Sequence, residues 1–239
     1  GGGAVVMALD KVRDRAKAIA AHLLEAAAED IEIVEGAFRV RGVPDRGLSL
    51  EEIAEKAYSD ELPAEFGAGF EATEYFRPDD ETFPFGTHIA VVEVFPETGE
   101  VKLLRFVSVD DCGVIISPML VRGQVHGGVA QGIGQALLEE IVYDASGELV
   151  TGTLNDYAIP RAVDFPPFET HHTETPTYLN PLGAKGIGEA ATIGSTPAVA
   201  NAVIDALEPW GITHLDVPFT PERVWQAIQG ANVGAAAAD

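Results

Sequence analysis

The sequence is poor in three things. Cysteine occurs once, at Cys112, in 239 residues. A single thiol excludes an internal disulfide and the multi-thiolate zinc and iron–sulfur sites, and it suits a reducing compartment. Basic residues are scarce: 15 Lys and Arg stand against 38 Asp and Glu, a net charge of -23. Such a surface repels a phosphate backbone, so nucleic acid is not the expected partner. Long apolar runs are missing too, and with them any stretch of roughly 18 residues that would span a membrane. The opening GGGAVVMAL has neither an initiator methionine nor the basic segment that starts a signal peptide. Together these features point to an acidic cytoplasmic protein. Its 46% hydrophobic content is that of a globular chain, enough for one large core or two smaller ones.

What is abundant is glycine, and it is concentrated in two places. The first is Asn180 to Ala206, NPLGAKGIGEAATIGSTPAVANAVIDA. Gly183, Gly186 and Gly188 lead into Glu189, and an apolar series through Val199, Val203, Ile204 and Leu207 follows. A glycine loop that runs into a helix puts backbone N–H groups at a positive helix end, which suits an anion or a polar cofactor edge. Glu189 either caps that helix or faces a site as a base; spacing alone leaves both open. A Walker loop is excluded, because no Ser or Thr follows Lys185 directly.

The second place is Leu120 to Ile141, LVRGQVHGGVAQGIGQALLEEI, which carries Gly123, Gly127, Gly128, Gly132 and Gly134 in a helical context. Each glycine inside a helix costs about 1 kcal/mol against alanine, so five imply close backbone approach. Gln124, Gly128, Gln131 and Gln135 fall on one helical face. That face can hydrogen-bond a flat polar ligand, or it can be the contact of a tight helix pair. Buried amides need partners, which speaks for the ligand.

These two stretches, GQVHGGVAQGIGQAL and GAKGIGEA, with VSVDDCGVIISPM before them, resemble the molybdenum hydroxylases. This is the xanthine dehydrogenase, aldehyde oxidase and aerobic carbon monoxide dehydrogenase large-subunit family. The resemblance covers nearly the whole chain, in order, and corresponds to the C-terminal third or so of such a subunit. It implies molybdenum–molybdopterin, in the cytosine dinucleotide form, as cofactor. It implies Glu189 as catalytic base in oxidative hydroxylation of an aldehyde, an N-heterocycle or a similar small molecule, or in oxidation of carbon monoxide. Gln124, Gly128, Gln131, Lys185, Gly186 and Gly188 are the implied cofactor contacts; no residue is a metal ligand. The implied partners are the remainder of the large subunit, an iron–sulfur small subunit and an FAD-binding medium subunit. In that family the first helix follows a loop that reaches the cofactor, so the chain is expected to begin inside that loop. The alternative function is that of a truncated or split homologue acting as a non-catalytic assembly or binding module.

The rest of the chain fills in an α+β fold. We expect mixed sheets covered by helices in two intertwined sub-domains, all of 1–239 being molybdopterin-binding region, with a boundary near 59–84. Val5, Leu9, Val12, Ala16, Ile19 and Leu23 form the apolar stripe of a long first helix. Residues 31–34 and 38–40 read as a hairpin, Ser49 to Glu52 as a capping box, and 70–76 (FEATEYF) as a strand. Residues 86–95 and 101–110 form the clearest hairpin, with the first strand apolar on both faces and hence central. Asp110-Asp111 reads as a turn rather than a cation site, and Cys112 as a buried small apolar group. Residues 151–159 read as a weak strand and 168–175 as a strand. His171-His172 reads as an exposed pair, since adjacent strand residues diverge. A short helix starts at Thr220-Pro221, and the tail 231–239 is expected to fray.

Overall fold

A computed structural model describes residues 1–236. The chain divides into two units, Gly1–Asp80 with Leu179–Leu182, and Glu81–Tyr178 with Gly183 onward.

The first unit opens with α1 (Gly2–Leu23). Its expected stripe is covered only in the second half: Ala16 and Ile19 are fully buried, whereas Val5 and Leu9 are 57% and 60% exposed. Strands β1 (Ile31–Val34), β2 (Ala37–Val40) and β3 (Val43–Ser49) make an antiparallel sheet in that order. The β1–β2 hairpin was expected. The third strand was not, because VPDRGLS is polar, carries Pro and Gly, and is mostly exposed. Helix α2 (Leu50–Ala57) starts at the expected capping box: Ser49 Oγ accepts the Glu52 N–H at 3.1 Å, and the Glu52 carboxylate accepts the Ser49 N–H at 2.8 Å. Ile19, Ile31, Phe38, Ile53 and Ala57 form the core. The expected strand 70–76 is absent. Its side chains alternate in exposure, but the segment joins no sheet among the described residues. Phe70 packs on this core instead.

The second unit holds β4 (Phe85–Val94), β5 (Val101–Asp111) and β6 (Phe168–Thr173) in the order β4-β5-β6. β4 and β5 are antiparallel; β5 and β6 are parallel. β5 is therefore the central strand, and β4, expected there, lies at the edge. Ala90, Val92 and Val94 face the core while Ile89 is 55% exposed, so β4 is covered on one face only. Residues 151–159 form turns rather than a strand. Asp110 and Asp111 are the last two residues of β5 and are buried, so the pair is strand rather than the turn expected. His171 and His172 are exposed and Cys112 is buried, as expected.

Helices α3 (Pro118–Leu137), α4 (Ala190–Ala206) and α5 (Pro221–Ala236) complete this unit. Phe106, Val129, Ile133, Val199, Val203, Leu207, Phe219 and Ile228 make its core. Of the tail expected to fray, residues 237–239 lie outside the described residues; α5 runs up to them. The class is α+β. No helix among the described residues is long and apolar enough to cross a membrane.

Candidate active site

The site is built where α3 and α4 meet the end of β5. The two helices approach closely because one offers glycine and the other small hydroxyl residues. A Cβ at Gly128 would stand 2.8 Å from that of Ala191, and one at Gly132 would collide with the Ser195 hydroxyl. Ser195 and Thr196 donate to the Gly128 and Gly132 carbonyls at 3.3 and 3.4 Å. The Thr192 hydroxyl lies 3.1 Å from both the Gly128 carbonyl and Gln131 Oε1, and Thr196 Oγ1 is 3.0 Å from Gln135 Oε1. Of the two readings left open for this face, the helix contact is the one seen at Gly128, because the space in front of its Cα is filled by α4. The glutamines on its stripe are exposed rather than buried.

Gln124 has a different neighbour. It lies near the start of α3, and its Oε1 is 3.7 Å from where a Gly188 Cβ would stand. The glutamine helix and the Gly-Glu loop are thus brought side by side here. In front of Gly186 nothing lies within 4 Å.

The loop is held by the end of β5. Gly113 and Gly183 both have positive φ, 67° and 68°, which glycine adopts without strain. They let the two backbones touch: the Val114 N–H donates to the Gly183 carbonyl at 3.0 Å, and the Lys185 N–H to the Cys112 carbonyl at 2.7 Å. Gly186 to Glu189 follow. Glu189 takes the N-cap position of α4 but makes no side-chain capping hydrogen bond, and its residue is exposed. Capping therefore does not account for a carboxylate here.

Lys185 has partners within the chain. Its side chain is 9% exposed, and its ammonium lies 3.1 Å from Asp111 Oδ1 and 4.6 Å from the centroid of the Phe85 ring. A cation held this way is not available to a cofactor phosphate without stranding a buried carboxylate. Asp111 also accepts from the Gly113 N–H and the Thr173 hydroxyl, each at 2.9 Å. Burial alone would raise its pKa. The hydrogen bonds from Gly113, Thr175, Lys185 and Thr173 outweigh that and hold the carboxyl well below the usual range. On the preceding residue, Asp110 Oδ1 is 3.0 Å from His88 Nε2, and both side chains are buried. The His88 ring lies against α4: a Cβ at Gly194 would be 2.6 Å from Nδ1. Burial, followed by the nearby Asp111 charge, pushes the Cys112 thiol up, so it is no nucleophile. Among the described residues no group of three or more His, Cys, Asp or Glu side chains could hold a metal ion.

Sequence reasoning missed both buried aspartate pairs. One signal was present for His88, a lone imidazole in the otherwise apolar strand GTHIAVV. For Asp111 and Lys185 there was none, since they are 74 residues apart.

Residues 1–166 match the Molybdopterin cofactor-binding domain. The chain belongs to this family, the cofactor-binding part of the molybdenum hydroxylase large subunits. Among its relatives, it is 40% identical over 97% of its length to the carbon monoxide dehydrogenase large chain of Hydrogenophaga pseudoflava. It is 42% identical over 96% to the nicotine 6-hydroxylase large subunit of Paenarthrobacter nicotinovorans. Of solved structures, it is similar to Cu,Mo-CO dehydrogenase, with a TM-score of 0.90 over 97% of this chain at 36% identity. Quinoline 2-oxidoreductase from Pseudomonas putida 86 gives 0.84 over 92% at 46% identity. The chain spans 28 to 29% of the length of these four relatives.

A molybdopterin presents a flat, polar edge. The residues that fit it here are Gln124, with an exposed amide, Gly186, with open space where a Cβ would stand, and the exposed Gly188, where Gln124 Oε1 lies 3.7 Å from that point. Gln131 uses its Oε1 toward Thr192, which leaves its Nε2 as a donor. Lys185 and Gly128 are engaged within the chain, by Asp111 and by α4.

Proposed function

We propose that this chain forms one wall of the molybdopterin site of a molybdenum hydroxylase and supplies its catalytic base, Glu189. The observation that carries the base assignment is the position of that carboxylate. It ends an open glycine loop beside Gln124, exposed, with no capping bond to occupy it. When bound, the molybdenum cofactor supplies the two-electron redox chemistry, and the protein orients it. Gln124 and Gln131 direct amide groups toward the pterin, and Gly186 and Gly188 let the backbone come close. Glu189 accepts a proton at its carboxylate as the substrate is oxidised. Relatives named for nicotine, quinoline and hypoxanthine support an electron-poor carbon of an N-heterocycle as the reacting centre, with carbon monoxide as the other substrate class.

The rest of the large subunit, an iron–sulfur subunit and an FAD subunit complete the enzyme in this reading, which places it in the cytoplasm with the cytosine dinucleotide form of the cofactor. A relative named as subunit gamma of a dehydrogenase complex supports a heteromeric assembly. The test is Glu189→Gln in the complete enzyme. Turnover is expected to vanish while molybdenum content stays near that of the unaltered enzyme. Unaltered turnover would remove the base assignment.

A further inference from the structure

We propose that Asp111 and Lys185 are positioning residues that fix where Glu189 stands. The inference rests on Glu189 being the base. Lys185 is the last residue of the loop tied down before the open stretch: its N–H is bonded to Cys112 and its ammonium to Asp111. The carboxylate it meets is itself immobilised from two strands, by Gly113 after β5 and by Thr173 at the end of β6. Phe85, the first residue of β4, covers the ammonium. Lys185 is thus anchored to the ends of all three strands of the sheet. Four residues further on comes Glu189.

The far side of Glu189 is held in the same way by the neighbouring carboxylate. Asp110 orients the His88 imidazole, and the ring packs on Gly194 in the second turn of α4. Successive strand residues point to opposite faces, so Asp110 and Asp111 can reach different ends of one segment. The segment 185–194 is therefore braced at both ends, and Gly186 and Gly188 lie between the braces, where no neighbour crowds them. Glycine left alone would cost the base its fixed position, and a base displaced by even about 1 Å loses rate. A brace made of charge also explains why an ammonium in a cofactor-binding loop is buried.

The experiment uses the complete enzyme with Lys185→Met and Lys185→Arg. Lys185→Met is expected to lower kcat at least tenfold while KM and molybdenum content change less than twofold, and Lys185→Arg to recover most of the rate. In the molybdenum-free protein, amide hydrogen exchange of residues 186–193 is expected to quicken at least tenfold in Lys185→Met, with α5 unchanged. Unchanged exchange in that segment, unchanged kcat, or a loss of activity that only follows lost molybdenum would each overturn the positioning role. The last pattern would return Lys185 to the cofactor. Should Lys185→Met fail to fold, Thr175→Val removes one hydrogen bond to Asp111 and is read by the same exchange measurement. Glu189→Gln separates the two ideas. An active Glu189→Gln enzyme removes the base, whereas the exchange measurement tests the brace by itself.

Discussion

Gly128 and Ala191 face each other across the contact between α3 and α4, with 2.8 Å between the alanine methyl carbon and the place a Gly128 Cβ would occupy. The backbone N of Thr192 is 3.0 Å from the same point, so nothing there can yield by a rotamer change. Gly128→Val should therefore force the helices apart. Overpacking of this kind costs about 1–3 kcal/mol. Urea denaturation should show a lower midpoint, and molybdenum content should fall with it. A neutral effect on both would mean that the helices do not pack as described.

Asp111 makes the stability of this protein sensitive to acid, and the sign follows from its depressed pKa. The unfolded carboxyl titrates near 4, as aspartate does in peptides. The contribution of Asp111 is thus present in full above that pH. It is lost as pH falls from about 4 through the folded value. A shift of this kind withdraws on the order of 2 kcal/mol. Asp111→Asn should be less stable than the unaltered protein at neutral pH and should lose less on acidification between about pH 5 and 2. Thermal midpoints across that range are the check; parallel curves would show that Asp111 does not carry the effect.

Residues 1–239 expressed alone should hold no molybdenum cofactor and show no hydroxylase activity. The ground is the exposure of Gln124, Gly186, Gly188 and Glu189, together with the 28 to 29% of the relatives' length that the chain spans. A ligand held on one open wall keeps much of its surface in water, and the contacts that remain do not offset the ordering cost. Metal analysis and pterin fluorescence on the purified chain decide it, and stoichiometric molybdenum would show that this wall suffices.

What could be read in the sequence was what is encoded locally. The capping box at Ser49 and Glu52 was legible because all its groups lie within four residues. The Gly-Glu loop was legible because few folds need glycines so spaced before a helix. β3 was not, since only pairing with β2 makes VPDRGLS a strand. FEATEYF misled because alternation reports an extended chain with one side covered and says nothing about a hydrogen-bonding neighbour. The stripe through Gln124 and Gly128 was placed on the correct helical face, yet periodicity does not tell what the face meets. Most of it meets α4. Lys185 was legible as part of the loop, but its partner was not, because Asp111 comes from a strand far away in sequence.

The consecutive aspartates at the end of β5 have a consequence for how the chain finds its fold. Shifting a strand by one residue turns every side chain to the opposite face. If β5 slid so that Asp110 took the place of Asp111, Lys185 would keep a carboxylate and His88 would face Val109. If it slid the other way, His88 would keep one and Lys185 would face Cys112. Either error strands a buried imidazole or a buried ammonium, and the stranded ammonium is the costlier. Two acids in a row therefore act as a key with two teeth: only one register of β5 gives both His88 and Lys185 a carboxylate.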